Sequence, residues 1–352
     1  MTKTIHVLIA IVTTLTLTHC LYAQNGGQKY IRKGLSEFTD SLKATKYPFI
    51  FPAWGDKVME KGFDLPLPHG VMLNLIQSRQ NILIENMRLG VNGSDLRDVS
   101  DFIRFRKIEV NAKTTNVRPD VWLLPFFNVY GLLGYLDSDT EVNVGLPIEL
   151  TANSTNEGLY YGLGFLVAGG FGPVWVSFDY NQAWAKLELL DKASRVRVNG
   201  IRIGHTYVSK RKPQQNIAIW VGGQFQKLAS ETQGEVALQD VLAIPPERVD
   251  EIINNVTEWF NGLSPLEQEV MRRVFDSFLD FVQEGVDATI QYQFDKNLAN
   301  PWSLAIGAQW QINKIWQLRG EFNFLGSRTQ GMISLNYRFG VRGRNFLDRT
   351  NN

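Results

Sequence analysis

The sequence has 352 residues, a net charge of +1 at pH 7 and a single cysteine. A charge this close to zero argues against nucleic acid as a partner, and the length fits one large domain or two ordinary ones. Aromatic residues make up 12% of the chain, a high share for a secreted soluble protein.

The first 23 residues have the pattern of a secretory signal peptide. Lys3 gives a basic start, an apolar run extends from Val7 to Leu17, and small Ala23 precedes the expected cleavage site. A membrane anchor is the rival interpretation, but the run is too short to span a bilayer comfortably. Since Cys20 lies in this segment, the mature chain is expected to have no disulfide, thiolate nucleophile or zinc–thiolate site. No later stretch has twenty uninterrupted apolar residues, so no transmembrane helix is predicted.

Strand-like alternation begins near residue 70. Residues 141–150 and 174–181 place apolar side chains on one face and polar or small ones on the other. Residues 195–208 do the same with a slip at Asn199-Gly200, which predicts a bulge. Residues 121–136 are apolar on both faces, so the period does not orient them.

Residues 245–285 break this pattern and predict two amphipathic helices. Val249, Ile252 and Val256 recur at helical spacing, and Ser264 with Glu267 has the spacing of a capping box at the start of the second helix. A count of strands back from the C-terminus places this pair on the same side as the chain ends. A plug inside the fold and a miscounted strand are the alternatives.

The last strands, from Val286 onward, alternate strictly. In residues 317–340, Leu318, Phe322, Leu335 and Tyr337 share one face, and the opposite face is polar. A soluble sandwich would turn the apolar face inward, whereas a membrane barrel turns it to lipid.

Three features favour the membrane barrel. Trp302 and Trp310 share a face and span about 20 Å along the membrane normal, close to the apolar band of about 25 Å in such barrels. The polar faces are rich in Gln, Asn, Ser and paired charges rather than in Lys and Glu. A closed meander also leaves no unpaired strand edge in hydrocarbon. We therefore predict an all-β fold, an antiparallel transmembrane β-barrel of about 12 strands with a helical hairpin insertion.

With its signal peptide, cysteine-free mature chain, amphipathic strands and final aromatic-ended strand "GMISLNYRF", the chain resembles the outer-membrane β-barrel proteins of Gram-negative bacteria. The resemblance implies residence in the bacterial outer membrane, and membrane lipid and the outer-membrane assembly machinery as partners. The resemblance covers a barrel over 70–342, and the helical pattern with the strand count adds a periplasmic two-helix insertion at 240–284. Residues 24–69 are then a periplasmic arm or a lumen insert, and residues 343–352 form a C-terminal tail.

Two residue sets follow from the alternation. The predicted lumen lining comprises Arg104, Arg106, Glu109, Glu141, Glu149, Asp179, Arg197, Arg202, Arg319, Glu321 and Arg338. The predicted lipid-interface aromatics comprise Tyr292, Trp302, Trp310, Trp316, Tyr337 and Phe339. The charges either select solutes or fill a narrow barrel by pairing with one another.

The first hypothesis for function is a passive channel or transporter for small solutes. The second is a non-conducting barrel that serves as an anchor, adhesin or assembly partner, with 245–284 as the docking face for a periplasmic partner. A lipid-modifying enzyme based on His205 ranks last, because no serine motif accompanies that histidine. We predict no enzyme activity, no cofactor and no metal site, since the carboxylates of Asp137 and Asp139 are too few for Ca²⁺.

Overall fold

The computed structural model describes residues 36–343, except 147, 148, 172, 189–192, 229, 230, 243, 286 and 287. The predicted signal peptide and positions 344–352 of the predicted tail lie outside the described residues. None of the helices within these ranges is long and apolar enough to cross a membrane.

The structure consists mainly of long strands, with short helices before and between them. The strands are β1 (His69–Val91), β2 (Arg97–Asp98), β3 (Arg104–Leu124), β4 (Phe127–Leu146), β5 (Leu150–Phe171), β6 (Val174–Leu187), β7 (Ser194–Val208), β8 (Asn216–Leu228), β9 (Glu231–Ala237), β10 (Thr289–Leu298), β11 (Trp302–Gln311), β12 (Trp316–Phe324) and β13 (Arg328–Phe339). The helices are α1 (Ser36–Ala44), α2 (Gly55–Met59), α3 (Leu238–Val241), α4 (Val249–Asn261) and α5 (Pro265–Glu284), with a 3₁₀ turn at Pro246–Arg248.

The strands form a closed antiparallel barrel, as predicted. Within the described ranges, ten strands make the closed wall, in the order β1, β3 to β8 and β11 to β13, and β13 pairs back onto β1 from His69↔Phe339 to Gln80↔Arg328. The prediction of about 12 strands is close to this number. One of the two extra strands is β10, which was counted as a wall strand but pairs with β9 and with the second half of β1 beyond the end of β13. The other arises because 121–136 and 141–150 were taken as separate strands, whereas 127–146 is the single strand β4.

The wall has two parts with opposite patterns. We call the part next to His69 and Phe339 the chain-end half. The far half comprises 77–91 on β1, 104–115 on β3, 136–146 on β4, 150–157 on β5, 185–187 on β6 and 194–199 on β7, together with β9 and β10.

In the chain-end half, apolar side chains face outward. Leu163 is 58% exposed and Ile333 is 62% exposed on the outer surface, whereas Ser334 and Asn336 are buried inside. Closure leaves each side chain only these two faces. The outward set forms an apolar band around the barrel, as lipid requires.

In the far half the pattern inverts. Ile84 and Val142 face the interior, while the outer surface has ion pairs of Glu109 with Arg79 (3.3 Å) and Lys107 (2.7 Å). A polar outer face of this kind belongs in water rather than in hydrocarbon. The far half therefore extends beyond the membrane.

Helices α4 and α5 pack against the far half. Phe260 of α4 stacks on Phe275 of α5 with 4.0 Å between ring centroids, and their cluster includes Leu89 of β1. The predicted capping box is present. Ser264 Oγ accepts from the backbone N–H of Glu267, and the Glu267 side chain accepts from the backbone N–H of Ser264 at 2.7 Å. The prediction that this pair lies on the side of the chain ends is wrong. The strand count behind it took β10 as a strand that crosses the wall, whereas β10 lies entirely in the far half.

The segment before β1 lies at the opposite end, near the chain-end opening. Val58, Phe63 and Leu65 form a small core with Tyr47. The backbone N–H of Trp122 donates to the Pro68 carbonyl at 2.9 Å, which ties this segment to the wall. Pro66 reaches the barrel interior.

Candidate functional site

The barrel interior holds a cavity of about 810 Å³. Its walls include Arg338 near the chain ends and Val274 and Phe278 of α5 at the far end. Because the two halves of the wall differ, the interior has a polar part and an apolar part.

The polar part is dominated by a cluster that we call the plug: Asp179, Arg202, Trp220, Arg319 and Glu321. Arg202 donates to both oxygens of Glu321 at 2.8 Å, and its third contact is an ion pair with Asp179. Glu321 also accepts from Arg319 at 2.7 Å and from Trp220 Nε1 at 3.1 Å. The side chains of Arg202 and Glu321 are 7% and 2% exposed. The plug therefore ties β6, β7, β8 and β12 together across the interior.

A second buried ion pair lies nearer the chain ends. Arg338 Nη2 is 3.2 Å from Asp120 Oδ1, and Arg338 Nε donates to the Leu67 carbonyl at 2.8 Å. Asn128 donates to the same Asp120 oxygen at 2.8 Å. This pair connects the segment before β1 to the wall, so the chain-end half is closed by interior polar groups as well as by that segment.

The apolar part, which we call the chamber, is the interior of the far half. Its lining includes Ile82, Ile84, Leu89, Phe105, Ile108, Val142, Val144, Val196, Val198, Val274, Phe278, Tyr292 and Phe294. The middle of α5, at Val274 and Phe278, forms its roof. Ser138, Thr140, Ser154 and Asn156 add polar groups to this mainly apolar lining. A concave, mainly apolar space with some placed polar groups is the usual form of a small-molecule site.

Lys296 is the charged exception in the chamber lining. Its Nζ donates to Ser194 Oγ at 2.9 Å. Burial among apolar side chains lowers the pKa of Lys296 to about 8, because the ammonium loses hydration there. Arg328 lies at the boundary with the chain-end half and donates to Gln224.

The predicted lumen residues divide between the two halves. Asp179, Arg202, Arg319, Glu321 and Arg338 lie in the interior. Arg106 and Glu149 instead form an exposed ion pair, with side chains 65% and 64% exposed. Arg104 is exposed, and Glu109 and Glu141 lie on the outer face of the far half with polar neighbours. The prediction failed for these residues because it took the polar face as the inner face along the whole strand.

Arg197 is also misplaced by the prediction. Its Nε donates to Gln182 on the outer surface at 3.2 Å. The predicted bulge at Asn199-Gly200 is absent from the described pairing, since Asn199↔Tyr180 and Gly200↔Asp179 continue the register without a shift. Gly200 leaves room for the plug, because a Cβ there would come within 2.6 Å of Asp179 Oδ1.

Of the predicted interface aromatics, Tyr292 is the exception. It lines the chamber and stacks on Phe294, with 5.6 Å between centroids, because β10 belongs to the half that is apolar inside. The others lie on the outer surface of the chain-end half: Trp302, Trp310, Trp316, Tyr337 and Phe339. Phe225 and Trp302, with centroids 5.1 Å apart, mark one border of the apolar band.

His205 lies on the outer face beside Tyr207, with 4.3 Å between centroids, and no hydrogen bond to its Nδ1 is formed by the described residues. Among all the residues that the structure describes, no group of His, Cys, Asp and Glu is arranged to hold a metal ion. Sequence reasoning missed Lys296, Arg328 and the chamber. The available signal was the change from apolar to charged residues on the outward face of β1, from Leu75 to Arg79.

No protein-family model matches the sequence, and no curated protein matches it. Among solved structures, the outer membrane protein OprG from Pseudomonas aeruginosa matches 79% of this chain and 98% of its own, at 8% identity and a TM-score of 0.37. The beta domain of the Bordetella autotransporter BrkA matches 77% and 100%, at 9% identity and a TM-score of 0.36. The Ralstonia pickettii toluene transporter TbuX matches 79% and 90%, at 8% identity and a TM-score of 0.28.

The barrel itself identifies where the protein resides. Its wall closes without a free edge, an apolar band surrounds the chain-end half, and aromatic side chains border that band. The protein is therefore an outer-membrane β-barrel.

Proposed function

We propose that the protein is a passive outer-membrane transporter for small solutes with an apolar body, and that the chamber is their binding site. The observation that carries the proposal is the inverted far half, whose side chains are apolar inside and charged outside. Any wall that stands in water needs an apolar interior for its stability, but here that interior lines a cavity instead of being filled by side chains.

The direction of transport depends on the orientation of the barrel. Pro125 and Phe126 alone connect β3 to β4 at the chain-end side, whereas the far side has the helical insertion. Short turns face the periplasm in outer-membrane barrels and longer connections face outward. We infer that the chain ends face the periplasm, so that α4, α5 and the chamber face the exterior. The surface of 245–284, expected from the sequence to dock a periplasmic partner, is then available to exterior partners instead.

The path out of the chamber leads through the chain-end half. The plug and the Arg338–Asp120 pair occupy that interior, and the segment before β1 lies below them. Passage toward the periplasm therefore requires these groups to rearrange. We expect little steady ion current through the resting barrel, because its charges are paired with one another.

Uptake of the neutral apolar dye N-phenyl-1-naphthylamine by intact cells tests the proposal. Cells with the protein should take up the dye faster than cells without it. Val142→Arg should reduce that gain by about tenfold, since a charge in the chamber opposes an apolar solute by more than 1.4 kcal/mol.

Asn143→Arg is the matched control, because it adds the same charge on the outer face of the same strand and should leave uptake unchanged. Surface expression and heat-dependent gel mobility verify folding, and Val142→Trp blocks the same space without a charge. Equal dye uptake with and without the protein would reject a transporter for apolar solutes.

The second candidate is a non-conducting barrel that anchors or recognises a partner. The observation in its favour is the plug, whose Glu321 side chain is only 2% exposed. A permanently closed barrel would give neither dye uptake nor ion current in a planar bilayer. The same experiment therefore separates the two candidates.

A further inference from the structure

Lys296 occupies an unusual place for a lysine. On β10 it pairs with Ile84 of β1, and both side chains face the chamber. Its neighbours turn the other way: Asp295 accepts from Asn86 at 2.8 Å, and Asn297 donates to Glu85 at 2.9 Å. The outer, polar face of β10 therefore has its own hydrogen bonds. Lys296 lies on the other face and projects its amine into an apolar space.

The amine has spare hydrogen-bonding capacity. An ammonium group has three donors, and the described contact to Ser194 Oγ uses one of them. No carboxylate among the described residues lies within ion-pair distance of Lys296. Although burial lowers its pKa to about 8, the amine remains largely protonated at pH 7. A cation held in such an apolar space is costly unless an anion joins it.

Arg328 neither pairs with Lys296 nor occupies the same position. Arg328 of β13 lies opposite Gln80 of β1, whereas Lys296 of β10 lies opposite Ile84 of β1. Four residues of strand separate the two positions by about 13 Å, and both side chains face inward. Arg328 is a second cation at the floor of the chamber, where it donates to Gln224. The chamber and its floor are therefore positive as well as apolar.

We propose that the chamber binds an amphipathic anion, with a carboxylate or sulfonate head on Lys296 and Ser194 and an apolar tail among Ile84, Val142 and Phe278. This inference rests on the proposed function in using the same chamber, and it adds the chemical class of the solute. The oxygens of the head accept hydrogen bonds from the remaining N–H groups of Lys296, and such charge-assisted hydrogen bonds are strong where water is excluded. The chamber is the far part of an interior cavity of about 810 Å³, and sites for one small ligand have volumes of about 300–1,000 Å³.

Two dyes with the same ring system test the inference. N-Phenyl-1-naphthylamine is neutral, and 8-anilino-1-naphthalenesulfonate has the same skeleton with a sulfonate. Binding of each to the full chain in lipid nanodiscs is measured by calorimetry, with empty nanodiscs subtracted. Lys296→Met should weaken binding of the sulfonate about 10- to 100-fold, as expected for losing a hydrogen-bonded charge partner, and should leave the neutral dye unchanged or bound more tightly.

Lys296→Arg retains the charge and should retain most of the sulfonate affinity. Lys227→Met, on the outward face of β8, removes the same charge outside the chamber and should change neither dye. Lys296→Met should still fold, since replacing a buried charge by an apolar side chain of similar length is not costly, and gel mobility verifies this.

The outcomes separate this inference from the proposed function. Equal sulfonate affinity in the wild type and in folded Lys296→Met would overturn the inference, even if the neutral dye binds in the chamber. Sulfonate binding that depends on Lys296, together with no binding or uptake of the neutral dye, would support the inference and reject the broader proposal for apolar solutes.

Discussion

Arg202→Ala is expected to lower the free energy of unfolding by about 3–5 kcal/mol. Arg202 stands between Asp179 and Glu321 in the barrel interior and is only 7% exposed. Alanine leaves two buried carboxylates facing each other, with Arg319 as the remaining cation on Glu321. Urea unfolding of the barrel in lipid vesicles, followed by tryptophan fluorescence, measures the change.

The matched control is Arg106→Ala. Arg106 also forms an ion pair, with Glu149, but both side chains are about two-thirds exposed. Exposed pairs contribute about 0–1 kcal/mol because water and salt screen them. If both variants lose the same small amount of unfolding free energy, the plug does not stabilise the barrel as a buried ion-pair network.

Leu163→Arg is expected to destabilise the inserted barrel by about 2–4 kcal/mol. Leu163 is the central residue of the outward apolar run on β5, from Leu159 to Val167, and is 58% exposed. An arginine at that depth must carry its charge into hydrocarbon. Unfolding in vesicles compared with the wild type gives the value.

Asn153→Arg provides the comparison on the same strand and the same outer face. Asn153 pairs with Glu141 in the far half, where the outer surface is polar. An arginine there should have an effect near zero, since it meets water and a neighbouring carboxylate. Equal penalties at positions 153 and 163 would mean that the far half is embedded in lipid as well.

The period of the sequence predicted the chain-end half because one physical rule applies there throughout. Leu318, Leu335 and Tyr337 alternate with Arg319 and Asn336, and a closed wall between lipid and a polar interior admits only that arrangement. The capping box of α5 was also readable, since Ser264 and Glu267 act through local hydrogen bonds.

The far half could not be read in the same way. Alternation assigns residues to two faces but does not say which face is inside, and the answer changes along a single strand once the wall leaves the membrane. Tyr292 and Arg197 were misplaced for this reason. The side of the barrel on which α4 and α5 lie was predicted wrongly, because β10 was counted as a wall strand. Its long-range pairing with β1 is not visible in local sequence.

Anomalous diffraction from crystals soaked with 1-bromonaphthalene tests the central claim most directly. The account predicts a bromine site inside the far half, enclosed by Ile84, Val142 and Phe278. Bromine found only on the lipid-facing surface, with ordered water occupying the chamber, would contradict it.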